Sequence, residues 1–404
     1  MSIFRQGAVT GAVIGLFWAF VIAVTVSVGL SFASGLGFRP GMWGCVVMGG
    51  LGGLAMVYAP QRRAVIGGAI VLSVGLLFTP LSPILFGEGV PVMWQLLAAV
   101  AFGLFAFWPL ERMLVEAHPG ALTRHAFEDA VIRFLTGFGY ITFTAAVLIP
   151  FYVMVMTSLK SQQALLRNPL DFSIDLSRGM DLFRSYFELF GQFNFGSYLW
   201  TSFYVSVLTV LITLLFSVPG AYAVARLRFQ GRAAFSRSIL LIYMVPMIVL
   251  ALPIYIAFSM TGLRNTIPGL LMIYPVTTIP VALYMLQGYF RGLPGEVEEA
   301  GLMDGLTRLQ VIVKITLPLS LPAMVSVSLY VFMIAWNEFL LAFMLLDDPS
   351  KFTLTRGVAM LNSSEIPRQH LMAGAVIATV PIMALFLGLE RFMTKGLTAG
   401  SVKG

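Results

Sequence analysis

The stretch Glu299–Pro318, EAGLMDGLTRLQVIVKITLP, is a polar segment between two long apolar runs of a very hydrophobic chain. Connections between neighbouring helices are usually only a few residues long. A connection of this length, carrying residues that start and stop helices, indicates a function of its own. We expect that function to be contact with a soluble partner.

The helix signals around this stretch begin slightly earlier, at Pro294. Proline suits the first turn of a helix, and glycine suits the position just past the end, which Gly305 occupies. The acidic side chains of Glu296, Glu298 and Glu299 favour the positive N-terminal end of a helix. These signals predict a short helix over residues 294–305.

A second short helix is predicted directly after the first. Thr307 could cap its start, and Pro318 and Pro322 mark the turn into the next apolar run. Ala300 and Gly301 are small, which would let a partner surface approach the first helix closely. On composition alone, an ordinary amphipathic cytoplasmic loop remains an equal alternative.

Composition places this chain in a bilayer. Of its 404 residues, 58% are hydrophobic and 11% are charged, with a mean hydropathy of +0.90. A soluble domain is about a quarter charged, and so much apolar surface cannot be hidden in a water-soluble fold. The net charge of +7 is interpreted as Arg and Lys held in cytoplasmic loops, not as a nucleic-acid surface. The single Cys45 excludes a disulfide framework.

The apolar runs predict an all-α polytopic membrane protein with about ten transmembrane helices, each close to the roughly 20 residues that a span requires. The predicted spans are Ala8–Ala33, Met42–Ala59, Ala64–Phe86, Val92–Leu110, Phe138–Leu159, Tyr198–Ala225, Ser238–Thr261, Ile267–Tyr289, Leu321–Leu346 and Leu371–Phe392.

The loop charges predict the orientation. In this arrangement most basic residues fall on one side, which identifies that side as the cytoplasm and places both termini there, in a multi-pass cell inner membrane protein. These residues are Arg5, Arg62, Arg63, Arg112, Arg124, Arg133, Arg226, Arg228, Arg232, Arg237, Arg291, Arg308, Lys314, Arg391, Lys395 and Lys403.

The polar stretch from Glu111 to Arg133 divides the chain. It predicts a four-helix transmembrane extension over residues 1–119, a cytoplasmic linker over 120–137 and a six-helix core over 138–404. The extension has no ionisable residue in the middle of a predicted span. We therefore expect it to serve packing or assembly, without transport chemistry.

The polar segment resembles the EAA loop of ABC-importer permeases, whose pattern is Glu-Ala-Ala, three residues, Gly, nine residues and Ile-x-Leu-Pro. Here Glu299-Ala300-Gly301, Gly305 and Ile315–Pro318 stand at that spacing, with Gly301 replacing the second Ala. The resemblance implies a type I permease core and a coupling loop over 293–321. The residues it implies for ATPase coupling are Glu298, Glu299, Ala300, Gly301, Asp304, Gly305, Leu317 and Pro318.

Three further segments are similar to the smaller maltose-type permease subunit of the carbohydrate-uptake branch. They are Trp336–Phe339, the run Asp348–Leu354 and the C-terminal tail Gly396–Gly404. The resemblance covers roughly residues 138–404 and not the first four spans. It implies that the tail contacts the ATPase subunits through Gly396, Leu397, Thr398, Ala399, Gly400 and Lys403.

The family resemblance also implies the partners. These are a second permease subunit, two cytoplasmic ATPase subunits and an extracytoplasmic sugar-binding protein, with the EAA helix seated in a cleft of an ATPase. None of the five Lys residues has the neighbours of a phosphate-binding loop. We therefore expect ATP and Mg²⁺ to be bound by the partners, with no cofactor, no metal and no enzymatic activity in this chain.

Residues that could form a gate or the sugar path are Trp336, Asn337 and Glu338 near the outer end of a span. Polar faces of other spans are further candidates, although such residues are equally common in helix packing. Those residues are Tyr204, Ser206, Thr209, Tyr243 and Tyr274. The three histidines, His118, His125 and His370, are scattered in loops and predict no metal cluster.

Two kinds of alternative stay open. The same machinery could import a polyol or a glycerol phosphate. A secondary transporter is a different class, but it would need ionisable residues in the middle of the membrane, and an intramembrane hydrolase would need a paired nucleophile and base. The sequence offers neither feature convincingly, so a carbohydrate permease is the preferred interpretation.

Overall fold

The computed structural model describes residues 5–168, 171, 173–242, 245–363 and 365–398. Apart from two three-residue strands, its regular structure is helical, which confirms the all-α prediction. The chain forms two compact units, Met1–Leu182 and Phe183–Gly404. Each unit is described separately below.

The first unit contains helices α1 to α6 and a short antiparallel pair of strands. The elements are α1 (Gly7–Ser34), β1 (Phe38–Pro40), α2 (Met42–Tyr58), α3 (Arg62–Gly75), β2 (Ile84–Phe86), α4 (Val92–Met113), α5 (Arg124–Ser158) and α6 (Gln162–Arg167), followed by a 3-10 segment, Leu176–Phe183.

Helices α1 and α2 approach each other through glycines. A Cβ atom added to Gly53 would lie 1.9 Å from the carbonyl oxygen of Gly11, and one added to Gly15 would lie 2.2 Å from that of Gly49. Gly11 and Gly15 are one turn apart on α1, as are Gly49 and Gly53 on α2. This is the small-residue packing by which membrane helices come close enough for backbone contact.

The second unit contains helices α7 to α18. They are α7 (Arg184–Gln192), α8 (Phe195–Arg226), α9 (Arg232–Ile242), α10 (Met247–Met260), α11 (Ile267–Gly292), α12 (Gly295–Met303), α13 (Arg308–Val311), α14 (Leu317–Leu319), α15 (Leu321–Asn337), α16 (Leu340–Leu345), α17 (Leu354–Met360) and α18 (Arg368–Thr398), with a π-helical turn at Ile312–Thr316 and a 3-10 turn at Pro349–Lys351.

Six described helices are long and apolar enough to cross a membrane, namely α1, α4, α5, α8, α11 and α18. The pair Arg308–Leu319 and Leu321–Asn337, bent by 74°, could supply a seventh span. The remaining predicted spans coincide with shorter helices, α2, α3 and α10. The polytopic class is therefore confirmed, while the number of about ten spans stays a prediction.

Three predicted spans were wrong in extent because an apolar run continued past a helix end. The only described helix in the run Ala64–Phe86 is α3, which ends at Gly75, and Pro80 and Pro83 then separate it from β2. Within Ser238–Thr261, α10 starts anew after Pro246, its N-cap residue. The run Leu321–Leu346 breaks at Glu338, whose extended backbone (ψ 123°) ends α15.

The predicted linker, residues 120–137, is largely helical. Helix α5 begins at Arg124, and the Thr123 hydroxyl caps it by accepting from the amide of Ala126 at 3.2 Å. The expected start at Phe138 was therefore too late, because charged residues interrupt the apolar residues in the first turns of α5. The contacts of the chain also group α5 with the first four helices and set the division at Leu182.

Candidate functional site

The predicted helix of the EAA segment is α12, and local signals form both of its ends. Pro294 is the N-cap residue, and Glu296 and Glu298 lie in the first turn, where a carboxylate is favoured by the helix dipole. At the other end, Gly305 adopts φ +84°. The amide of Gly305 donates to Leu302 O at 3.1 Å and that of Leu306 donates to Gly301 O at 3.1 Å. This pair of bonds is a Schellman motif, which requires the left-handed conformation that glycine adopts freely.

Glu298 attaches α12 to two other elements of the unit. Its Oε2 accepts from the hydroxyl of Tyr222 at 3.2 Å, and its Oε1 accepts from the hydroxyl of Thr316 at 3.0 Å. Arg226 Nε lies 3.5 Å from Oε1, and Arg226 Nη2 donates to Leu293 O at 2.6 Å. One half-buried carboxylate thus holds together the C-terminal end of α8, the start of α12 and the π-helical turn.

The predicted coupling residues separate into two groups by exposure. Glu299, Ala300, Asp304, Gly305 and Pro318 are exposed, whereas Glu298 and Leu317 are half-buried and Gly301 is buried. A Cβ atom on Gly301 would lie 2.6 Å from Ile315 Cδ1. Gly301 therefore allows close packing within this chain, and it is Ala300 that leaves room for another surface.

Apolar side chains also remain exposed around α12. Met303 is 88% exposed and Leu309 is 70% exposed. Contiguous exposed apolar patches mark interaction sites, so these two side chains are candidates for contact with a partner. Together with the exposed Glu299 and Asp304, they give the segment a mixed apolar and acidic face.

The second predicted helix, α13, has the capping signal that its sequence contains. Thr307 and Gln310 form a reciprocal capping box: the backbone amide of Gln310 donates to Thr307 Oγ1 at 3.4 Å, and the backbone amide of Thr307 donates to Gln310 Oε1 at 2.9 Å. The π-helical turn Ile312–Thr316 follows directly and was not expected. It places the Thr316 hydroxyl at Glu298.

Sequence reasoning missed Tyr222, Arg226 and Thr316, which complete this network. Tyr222 and Arg226 are one helical turn apart at the polar end of α8, so they share a face. An aromatic residue followed by an Arg at the end of a span is usual for an interface anchor. That resemblance to a common anchor is why the pair gave no specific signal.

The three residues proposed for a gate or sugar path have different surroundings. Trp336 is 2% exposed and its Nε1 donates to Ala378 O at 3.0 Å, so it joins α15 to α18. Asn337 is exposed and its amide donates to Met333 O at 2.9 Å. Glu338 accepts from the amides of Leu341 at 2.8 Å and Ala342 at 3.0 Å, which fixes the start of α16.

The other polar candidates lie mostly in helix packing. Ser206 and Thr209 are fully buried on the face of α8 that continues to Thr213, whose hydroxyl is 2.6 Å from that of Thr278 on α11. Tyr274 is also buried, whereas Tyr204 is half-buried. These positions agree with a packing function for Ser206 and Thr209. Tyr243 lies outside the described residues.

His370 is bound to an acidic partner. Its Nε2 lies 2.7 Å from Glu188 Oε2, where α18 meets α7. A hydrogen bond from Arg184, with a smaller contribution from His370, lowers the pKa of Glu188. Among the described residues, no group of three or more His, Cys, Asp or Glu side chains is placed to hold a metal ion.

The tail residues predicted to contact an ATPase lie close to or beyond residue 398, the last described residue. The backbone of α18 is helical through Gly396, Leu397 and Thr398, whose side chains are not described. Ala399, Gly400 and Lys403 lie outside the described residues. Contact of the tail with an ATPase stays a prediction, as does contact of α12.

Comparisons of the sequence with a family model and with known proteins agree with one another. Residues 217–398 match the family described as binding-protein-dependent transport system inner membrane component. The chain is 36% identical over 270 residues to the inner membrane ABC transporter permease protein YcjP of Escherichia coli (strain K12), covering 66% of this chain and 95% of YcjP. It is 32% identical over 281 residues to the trehalose/maltose transport system permease protein MalG of Thermococcus litoralis, covering 69% of this chain and 99% of MalG.

A solved structure shares the fold. It is a chain from a bacterial ABC transporter involved in the import of the acidic polysaccharide alginate, matched with a TM-score of 0.56 and 22% identity over 67% of this chain and 98% of that chain. At this identity the likeness concerns the fold alone.

Proposed function

Because this chain belongs to the binding-protein-dependent transport system inner membrane component family of ABC importers, we propose that it forms the translocation path for a carbohydrate and couples that path to ATP hydrolysis. Members of this family are permease subunits and not themselves enzymes. A substrate such as maltose, an α-glucoside or another oligosaccharide is supported by the similarity to the trehalose/maltose permease MalG.

The observation that carries the coupling proposal is the double attachment of Glu298 to α8 and to the π-helical turn. An ATPase that moves α12 would move these elements with it, because the contacts leave α12 little freedom of its own. Rigid-body displacement of packed helices is the usual way in which such machines switch between two states. The exposed face with Ala300, Met303 and Leu309 would enter a groove of the ATPase.

We propose the assembly that the family resemblance implies. It comprises a second permease subunit, two cytoplasmic ATPase subunits that bind ATP and Mg²⁺, and an extracytoplasmic sugar-binding protein. Both termini and α12 would lie on the cytoplasmic side, on the evidence of the loop charges. In this arrangement the first four helices have no part in transport chemistry.

A transport assay with a cell strain deleted for this chain tests the proposal. Uptake of labelled maltose, trehalose and glycerol 3-phosphate is measured before and after plasmid complementation. We expect complementation to restore disaccharide uptake and to leave glycerol 3-phosphate uptake unchanged. Restored glycerol 3-phosphate uptake alone would instead support the alternative substrate class.

The same cells distinguish an ABC importer from a secondary transporter. A protonophore collapses the proton gradient that drives many secondary transporters, whereas depletion of ATP stops an ABC importer. We expect uptake to persist under a protonophore while cellular ATP is held constant, and to stop when ATP is depleted. The opposite pattern would contradict the proposed mechanism.

A further inference from the structure

A basic cavity of about 610 Å³ opens beside the first turn of α9. Its lining includes Arg232 and Arg237 from α9 and Arg291 from the end of α11, together with Ser236 and Phe229. Among the described residues that line it, none is acidic. Three guanidinium groups around one cavity repel one another, so the site favours an anion.

Two of these arginines are held in place by the protein. Arg232 donates from Nε to Val224 O at 2.6 Å and from Nη2 to Ala225 O at 2.9 Å, which satisfies carbonyls at the end of α8. The side chain of Gln287 is only 5% exposed, and its oxygen accepts from the Ser236 hydroxyl at 3.0 Å. A carboxamide nitrogen cannot donate to a guanidinium, so the oxygen of Gln287 faces Arg291 and accepts from its Nη2 at 2.8 Å.

Arg237 is the least constrained of the three. It is exposed, and within the described part of the chain no acidic side chain forms an ion pair with it. Arginine remains charged at any physiological pH and presents paired N–H groups that match two phosphate oxygens. Arg237 and the oriented Arg291 therefore offer donors that the protein itself leaves largely unused.

The surroundings of the cavity resemble a membrane surface. The ends of α8 and α11 lie on the side that the loop charges identify as cytoplasmic. Phe229 is 44% exposed and Phe235 is 48% exposed, and both flank the arginines at the start of α9. Aromatic and basic residues together are typical of the interface between headgroups and acyl chains. Basic pockets on the cytoplasmic side of membrane helices suit the headgroups of anionic lipids.

We propose that this cavity binds the phosphodiester headgroup of an anionic phospholipid of the cytoplasmic leaflet. Arg237 and Arg291 contact the phosphate, Gln287 and Ser236 position Arg291, and the acyl chains lie against Phe229 and Phe235. Arg232 donates to the last carbonyls of α8 and contributes its positive charge to the cavity.

The test measures lipid affinity of the assembled transporter in a neutral detergent. Short-chain phosphatidylglycerol is titrated while thermal stability or native mass spectra report binding. Short-chain phosphatidylcholine and inorganic phosphate serve as the other arms. We expect saturable binding of phosphatidylglycerol, weak binding of phosphatidylcholine, and inorganic phosphate to compete only at far higher concentration because it lacks acyl chains.

Variants assign the binding to this cavity. At about 1 kcal/mol for each basic residue near the surface, Arg237→Gln should weaken phosphatidylglycerol binding about fivefold and Arg237→Gln/Arg291→Gln about 30-fold. Arg237→Lys keeps the charge but loses the paired N–H groups, so it should weaken phosphatidylglycerol binding less than Arg237→Gln does. Arg63→Gln removes one exposed charge from the first unit and should leave the affinity unchanged.

Three results would overturn the proposal. The first is equal phosphatidylglycerol affinity in the wild-type chain and the double variant. The second is inorganic phosphate binding as tightly as phosphatidylglycerol, which would identify a general anion site. The third is loss of ATPase subunits from the double variant with unchanged lipid binding, which would identify a protein contact instead.

Discussion

Arg226 and Glu298 form an ion pair between the end of α8 and the first turn of α12, with Nε 3.5 Å from Oε1. Their side chains are 17% and 13% exposed, so solvent screens the pair less than it would on an open surface. Arg226 also donates to Leu293 O, which fixes the chain just before α12. The pair therefore connects a membrane-crossing helix to the segment proposed to contact the ATPase.

Removal of this carboxylate should loosen α12. In Glu298→Ala, Tyr222, Thr316 and Arg226 lose a shared acceptor, and a contact network of this kind is worth on the order of 1 to 3 kcal/mol. Amide hydrogen exchange across residues 295–306 should accelerate by about 5- to 150-fold. ATP-dependent uptake should fall while the ATPase still co-purifies, since the exposed face of α12 is unchanged.

Glu296→Ala is the matched control on the same helix turn, because Glu296 is exposed. It should change neither hydrogen exchange nor uptake. Equal effects of Glu296→Ala and Glu298→Ala would mean that the charge of the segment matters and the attachment to α8 does not.

Local features of the coupling segment could be predicted from the sequence, and distant contacts could not. Gly305 and Thr307 act through bonds to residues within one helical turn, so their spacing alone identifies a cap. The partners of Glu298 come from α8 and from the π-helical turn. The spacing of residues within one segment does not indicate which other helices that segment contacts. The helix breaks before Pro246 and at Glu338 were missed because the apolar run continues across each of them, although the helix does not.

The conformation of Gly305 predicts an ordered series of substitutions. A left-handed backbone costs an ordinary residue roughly 1 to 2 kcal/mol, less for Asn and more for a β-branched residue. No described atom lies within 4 Å of a Cβ atom at this position, so the cost is conformational. Uptake should fall in the order Gly, Asn, Val, and Gly305→Pro should uncouple transport while the protein still inserts.

The order within that series is the test, measured as uptake and as ATPase co-purified per chain. This chain already places Asn194 and Asn265 at positive φ, which shows that Asn tolerates the conformation here. Normal uptake by Gly305→Val would mean that the Schellman turn is not needed for coupling.

The glycine contact between α1 and α2 predicts that a larger residue there destabilises only the four-helix extension. Gly53→Ala would force its Cβ atom against Gly11 O and should destabilise the helix pair by about 1 to 3 kcal/mol. Gly50→Ala, on the same helix with open space around it, should have no such effect. Hydrogen exchange of α1 and α2 should separate the two variants, whereas uptake per assembled complex should be the same for both. A loss of uptake in fully assembled Gly53→Ala transporters would show that the extension takes part in transport.

Substitutions of Glu338 distinguish a structural function of this residue from contact with the sugar. Its two oxygens accept from the amides of Leu341 and Ala342, and Thr355 donates to its backbone carbonyl at 2.6 Å. The carboxylate thus satisfies free N–H groups at the start of α16 and fixes the break between α15 and α16.

If this structural function dominates, Glu338→Asp should retain most of the uptake, because a shorter carboxylate can still accept from helix amides. Glu338→Ala should lose roughly 1 kcal/mol of local stability and should lower the maximal uptake rate at unchanged KM, since the start of α16 shifts in every state of the cycle. The kinetic constants are measured in proteoliposomes with saturating binding protein and varied sugar. A raised KM at unchanged maximal rate in Glu338→Ala would indicate lost ground-state binding, and would mean that Glu338 contacts the sugar directly.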